Sequence, residues 1–264
     1  MCSTCGCGKV DEPTEVRLTA PDARVPHQHD HSHTHAHSHG HAAPETVTLE
    51  QKILAKNDQL AEENRTWLAD RGIAAFNLMS SPGSGKTTLL ERTLRDLQAS
   101  TPVSVIEGDQ ETLLDADRIR ATGCAVVQVN TGSGCHLDAE MIRGAVETLG
   151  PVNDSVVFVE NVGNLVCPAL FDLGEQGKVV LISVTEGDDK PLKYPHIFAV
   201  ADLLIVNKTD LLPYVDFDPE SFEQNARSVN PTVRVVYLSA TSGKGIEHWY
   251  GWIADRRREP IVRR

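Results

Sequence analysis

The chain has 264 residues, 40% of them hydrophobic and 23% charged, which suits one large α/β domain or two small ones built on a real core. Its formal net charge of −12 argues against sequence-independent binding to nucleic acid, which relies on clustered Lys and Arg. No eighteen apolar residues run together, and the opening MCSTCGCGKV has no apolar stretch, so neither a membrane span nor a secretory signal is expected.

Residues 1–46 are rich in Pro, Ser, Thr, His and Gly, with few large apolar side chains, and are expected to be a disordered Cys/His-rich metal-binding tail. Cys2, Cys5 and Cys7 crowd into the first seven residues, which is not how a disulfide framework is spaced. In a cytoplasmic protein such thiols stay reduced, and three soft sulfur donors joined by small residues suit Zn²⁺, Cu⁺ or Ni²⁺. HQHDHSHTHAHSHGH follows, with His27, His29, His31, His33, His35, His37, His39 and His41 at every second position. A chain that can fold back offers several imidazoles to one ion, so these histidines are expected to buffer metal weakly and exchangeably.

From Val47 the pattern changes, and 47–264 is read as one P-loop GTPase domain. TLEQKILAKNDQLAEENRTWLADRG carries apolar residues at helical spacing and predicts a helix ending at Gly72. IAAFNLM (73–79), VSVIEG (103–108), AVVQVN (125–130), SVVFVE (155–160), VVLISVT (179–185), ADLLIVN (201–207) and VRVVYLS (233–239) predict strands, with a helix over 86–99 and others between. Near-continuous β-branched runs alternating with helices indicate a doubly wound, mostly parallel sheet. Cys124 has no partner in sequence and is expected to be a core thiol. The closing RRREPIVRR is expected to be a solvated end.

Between the first strand and its helix, residues 80–87 read S-S-P-G-S-G-K-T against the pattern G-x-x-x-x-G-K-S/T. Only the leading Ser80 departs from it. Gly83, Ser84, Gly85, Lys86, Thr87 and Thr88 supply the tight turn and inward N–H groups, the lysine charge and the hydroxyl for Mg²⁺ that a triphosphate needs. NKTD at 207–210 follows a strand. There Asp210 can accept from guanine N1–H and its amino group, Asn207 can steady the loop and Lys208 can cover the base. Ser239 and Ala240, after the last strand, offer a backbone N–H to guanine O6. GTP is therefore the expected nucleotide. Asp109, in EGDQET, and Glu160, in VFVENVGN, are acids at strand ends with catalytic or Mg²⁺-binding roles, and Gly163 is placed to sense the γ-phosphate. Lys190, in TEGDDKPLKYP, is a further cation for the nucleotide or a neighbouring subunit.

Soft ligands recur within the domain. Cys135 and His136 follow one strand and Cys167 follows another, and loops after strands of a parallel sheet gather at one end. These three can converge on a metal, completed by water or by a second subunit across a two-fold axis.

The thiolate-rich start, the His-rich linker, SSPGSGKTTLL, NTGSGCHLDA, ENVGNLVCP and NKTD, in that order, closely resemble the HypB family of GTPases, which help insert nickel into NiFe-hydrogenase. The resemblance implies a slow Mg²⁺-dependent GTPase that dimerises in response to nucleotide. It implies Ni²⁺, with Zn²⁺ possible, at Cys135, His136 and Cys167, and a high-affinity nickel site at Cys2, Cys5 and Cys7. It also implies the metallochaperone HypA as partner and the hydrogenase large subunit as destination. The urease nickel-insertion and zinc-trafficking branches carry other cysteine motifs than Gly134-Cys135-His136. A metal-sequestering buffer with an incidental GTPase domain is the competing reading from another class.

Overall fold

The computed structural model describes residues 45–109 and 114–259. Cys2, Cys5, Cys7, the histidines from His27 to His41 and the last five residues lie outside the described residues. The chain divides into two units, Met1–Gln51 and Lys52–Arg264. Of the first, only the opening of helix α1 (Glu45–Ala69) is described; the sheet, the core and the candidate sites belong to the second.

Seven parallel strands form one sheet: β1 (Ala74–Ser80), β2 (Val103–Asp109), β3 (Ala125–Asn130), β4 (Val156–Gly163), β5 (Gly177–Ser183), β6 (Leu203–Asn207) and β7 (Arg234–Tyr237). Their order is β3-β2-β4-β1-β5-β6-β7. All seven apolar runs expected to be strands are strands, and each pairing is parallel. The central strands β1 and β5 are buried at every position because helices cover both faces. β3, at the edge, is only half-buried.

One face packs Phe76, Phe158, Leu89, Leu94, Trp249 and Trp252 from the sheet, α2 (Lys86–Leu97) and α8 (Ile246–Arg258). The other face packs Leu68, Ile73, Leu137, Ile142 and Val159, bringing α1 and α4 (Ala139–Leu149) onto the sheet. The other α-helices among the described residues are α3 (Leu114–Arg120), the short α5 (Lys190–Lys193) and α6 (Pro195–Ala199), and α7 (Pro219–Val229). α1 stops at Ala69, and Gly72 makes the turn into β1 with φ of +64°, where a Cβ would strike the Asp154 carboxylate. α4 starts sharply because the Asp138 side chain accepts from Met141 N at 2.8 Å, and it ends at Gly150 in the left-handed region. Cys124 is half-buried against the core edge rather than inside it, its Sγ 3.4 Å from Gln98 Oε1.

Candidate functional site

β1 ends in the loop Ser80–Gly85, which feeds the N-terminus of α2, so the loop's N–H groups and the positive end of the helix face one hollow. That hollow has a volume of about 550 Å³ and is lined by the loop from Ser80 to Thr88 together with Asp109, Val162, Gly163 and Lys208. Lys86 Nζ lies 3.1 Å from Glu160 Oε1, and Thr87 Oγ1 donates to that same oxygen at 2.6 Å. Glu160 is almost fully buried, and among the described residues its Oε2 has no hydrogen-bond partner.

The NKTD segment is fastened to the phosphate loop. Asn207 Nδ2 donates to Ser84 O at 2.9 Å, and Lys208 Nζ donates to Gly83 O at 2.6 Å. Gly85 has φ of +96°, and a Cβ there would come within 2.5 Å of Asn207 Nδ2, so only glycine fits. Asp210 is exposed in the first turn after β6. The N–H groups expected for guanine O6 are used within the protein in this structure: Ser239 N–H bonds to Lys244 O at 2.9 Å and Ala240 N–H to Asn207 Oδ1 at 3.0 Å. Asn207 thereby ties the phosphate loop to the segment after β7. Ser80 is buried and its Oγ donates to Ser81 O, so the departure from glycine leaves the turn intact. Lys190 Nζ lies 3.8 Å from Glu186, which in turn accepts from Ser81 Oγ, so this cation sits one carboxylate away from the phosphate loop.

The soft ligands converge as expected. The ligand atoms of Cys135, His136 and Cys167 all lie within 4.8 Å of one another. Cys135 Sγ is 2.6 Å from Cys167 Sγ and 3.6 Å from His136 Nδ1. Burial lowers the His136 pKa, against a smaller opposing pull from Asp138, and so favours the neutral imidazole, the form with a lone pair to donate. Its ring stacks on Phe171, centroids 3.9 Å apart and planes 22° apart.

Two hydrogen-bonded paths join this cluster to the phosphate hollow. Asp109 O accepts from Thr131 N at 3.0 Å, and Thr131 closes a turn with Gly134, the residue before Cys135. Asn161, next to Glu160, accepts from Leu137 N, the residue after His136, and Asn164 Nδ2 donates to Cys135 O at 3.3 Å.

No motif anticipates Phe171, Thr131 or Glu107. Glu107 is 2% exposed, directly beside Glu160 in register, and its carboxyl is pushed up to about 8 by burial first and then by Glu160, Asp109 and Asp115. A glutamate inside the apolar run VSVIEG was the available signal for it.

A phosphate loop between β1 and α2, an acid on the neighbouring strand against its lysine and threonine, and NKTD seated behind it define a P-loop nucleotide-binding protein. The family model for the CobW/HypB/UreG nucleotide-binding domain matches residues 74–237. The hydrogenase maturation factor HypB of Escherichia coli strain K12 is 56% identical over 209 residues, 79% of this chain and 72% of that protein. The crystal structure of HypB from Archaeoglobus fulgidus has a TM-score of 0.72 at 40% identity, covering 77% of this chain and all of that one (100%). That of HypB from Helicobacter pylori in complex with nickel has a TM-score of 0.74 at 39% identity, covering 78% of this chain and 97% of that one. The chain belongs to the HypB family of hydrogenase maturation factors, within the CobW/HypB/UreG group of P-loop GTPases. Among the described residues no helix is long and apolar enough to cross a membrane.

Proposed function

We propose that the protein is a GTP-hydrolysing nickel metallochaperone that binds, stores and delivers Ni²⁺ for NiFe-hydrogenase maturation, with metal release coupled to nucleotide state. The observation that carries this reading is the convergence of Cys135, His136 and Cys167 on the loops after β3, whose last residue pairs with Asp109 of the phosphate hollow, and β4, which sets Glu160 against Lys86 and Thr87. Two thiol sulfurs and a neutral imidazole are donors suited to Ni²⁺ and equally to Zn²⁺, and three protein ligands leave a coordination position open for exchange.

On the nucleotide side, the loop from Gly83 to Thr88 cradles the phosphates of GTP and Lys86 neutralises charge on the β and γ oxygens. Asp210 and Lys208 recognise guanine, and Asn207, Ser239 and Ala240 form the braced wall of the base-binding end, with Asn207 joined to Ala240 N–H. Thr87 Oγ1 and Glu160, with a buried carboxylate oxygen to spare, are hard oxygen donors that fit Mg²⁺. When bound, that ion supplies further charge neutralisation at the transferring phosphoryl group. Asp109 orients the attacking water, and GTP and water give GDP and phosphate. The Cys2, Cys5 and Cys7 thiols and the eight histidines serve as a reservoir ahead of the domain site. HypA and the hydrogenase large subunit are the partners, a GTP-dependent homodimer is the working form and the cytoplasm the location. The relative from Helicobacter pylori solved with nickel supports the choice of metal.

The test is the Ni²⁺ and Zn²⁺ affinity of the chain begun at Thr46, with GDP and with a non-hydrolysable GTP analogue. A nucleotide-dependent affinity that disappears in Cys135→Ala is expected. Equal affinity in both nucleotide states refutes the coupling and leaves metal handling to the N-terminal cysteines and histidines.

A further inference from the structure

No arginine stands out in the sequence as a partner for the phosphates, yet one lines the hollow. Arg118, on α3, is separated from the phosphate loop by 30 residues or more, and its guanidinium reaches the first turn of α2. Nη2 lies 3.1 Å from Thr88 Oγ1 and 2.6 Å from Glu91 Oε2, and Nη1 lies 3.3 Å from Asp115 Oδ1. The side chain is 43% exposed and lines the hollow.

The other two basic residues lining the hollow are already committed. Lys86 is paired with Glu160, and Lys208 is bonded to Gly83 O. A nucleoside triphosphate brings more negative charge than Lys86 alone offsets. Arg118 has five N–H donors in a planar fork, and the three contacts above use only part of them. Thr88 is the third residue of α2, at the helix end where a phosphate is drawn by the exposed N–H groups. A guanidinium one hydrogen bond from its hydroxyl is within reach of the same phosphate. Lys86 and Thr87 face Glu160, whereas Arg118 approaches from the Thr88 side, one residue further along α2.

We propose that Arg118 is a phosphate-binding residue supplied in cis, gripping the ribose-proximal phosphates common to GDP and GTP. This rests on the reading of the loop from Gly83 to Thr88 as the phosphate site. Glu91 and Asp115 are the counter-ions of the guanidinium, and a nucleotide phosphate competes with them for it.

The experiment uses the full-length chain with fluorescent GDP and with a non-hydrolysable GTP analogue, plus steady-state GTP hydrolysis. Arg118→Ala is expected to weaken both nucleotides by about tenfold, with kcat at saturating GTP changed less than threefold. Arg118→Lys is expected to recover part of the affinity, because a point charge keeps the attraction without the fork. Glu91→Gln separates binding from architecture: it breaks the α2–α3 ion pair and is expected to leave affinity unchanged or tighter. If Glu91→Gln weakens binding as much as Arg118→Ala does, Arg118 is only a strut between two helices. If Arg118→Ala lowers kcat and GTP affinity but spares GDP, the arginine serves the γ-phosphate and the assignment is overturned. Lys86→Ala reports on the underlying reading. Should it leave nucleotide affinity intact, the phosphate site itself is misplaced; should it alone weaken binding, only the role of Arg118 falls.

Discussion

Asn161 Oδ1 accepts two backbone hydrogen bonds, from Leu137 N at 3.1 Å and from Val162 N at 3.0 Å, and its Nδ2 donates to Asn77 Oδ1 at 3.2 Å. One buried amide thus joins the residue after Glu160 to the residue after His136. Leu137 is pinned on its other side as well: its side chain lies so close to Gly108 that a Cβ there would come within 2.7 Å. The ends of β2 and β4, which carry Asp109 and Glu160, both bear on the loop that presents Cys135 and His136.

Asn161→Ala leaves the N–H groups of Leu137 and Val162 without their acceptor, which costs about 1–3 kcal/mol of stability. Nucleotide affinity should stay within about threefold of wild type, because Asn161 does not line the phosphate hollow. The difference in metal affinity between the GDP and GTP forms should shrink toward none. Urea unfolding and metal competition with a chromophoric chelator measure the two effects. A variant that keeps the full difference would show that coupling runs through Thr131 instead.

Phe171→Ala removes the ring on which His136 stacks. An aromatic pair of this kind contributes about 0.5–1.5 kcal/mol beyond burial. Metal affinity at the domain site should therefore fall severalfold while nucleotide affinity holds. Isothermal titration with Ni²⁺ and with GDP on one sample checks both, and a matched loss in both would mean that Phe171 supports the whole end of the sheet.

Glu160→Gln keeps the shape of the acid but removes its charge from Lys86 and Thr87. Single-turnover GTP hydrolysis should slow by at least about 100-fold, since positioning and electrostatics carry most of phosphoryl transfer. GDP affinity without added divalent ion should hold or rise, because Lys86 no longer has a competing carboxylate. Undiminished hydrolysis would move the catalytic acid to Asp109.

Acid stability should depend on Asp172. Burial alone would push its carboxyl up, but Lys178, the hydrogen bond with Glu175, Gly174 N–H and Arg65 outweigh burial and hold it at about 2. The native value is lower than the unfolded one, so the stabilisation is fully present above about pH 4 and is lost as pH falls toward 2, on the order of 2 kcal/mol in all. Asp172→Asn should destabilise the fold clearly at pH 7 and much less at pH 2.5. Equal losses at both pH values, by thermal melts monitored with circular dichroism, would mean the carboxylate charge does not matter.

The strands were legible because each is a short apolar, β-branched run flanked by turn residues, and periodicity of that kind survives without tertiary information. The phosphate loop and NKTD were legible because their chemistry demands particular residues in consecutive positions. Cys135, His136 and Cys167 could be brought together only by adding topology, since their juxtaposition depends on β3 and β4 ending on the same side of the sheet. Phe171 and Arg118 have no such local signature. Each acts through a neighbour distant in sequence, His136 and Thr88 respectively, and pairings of that range are set by how α3 and the segment after β4 pack. Ala240 N–H was expected to face a base, but Asn207 satisfies it internally, a choice between two acceptors that the sequence leaves undetermined.

Helix α1 looks like a lead-in to the domain, yet it holds both polar atoms of a single peptide residue at the start of α4. Ala139 N donates to Asn57 Oδ1 at 2.9 Å, and Ala139 O accepts from Asn64 Nδ2 at 2.8 Å. Ala139 stands three residues beyond His136, so α1 is part of the mounting of the metal loop. A shortened chain that keeps Asn57 and Asn64 retains that mounting whatever is cut ahead of it. One that begins after Asn64 loses it, and would misreport the metal chemistry of a loop it never touches directly.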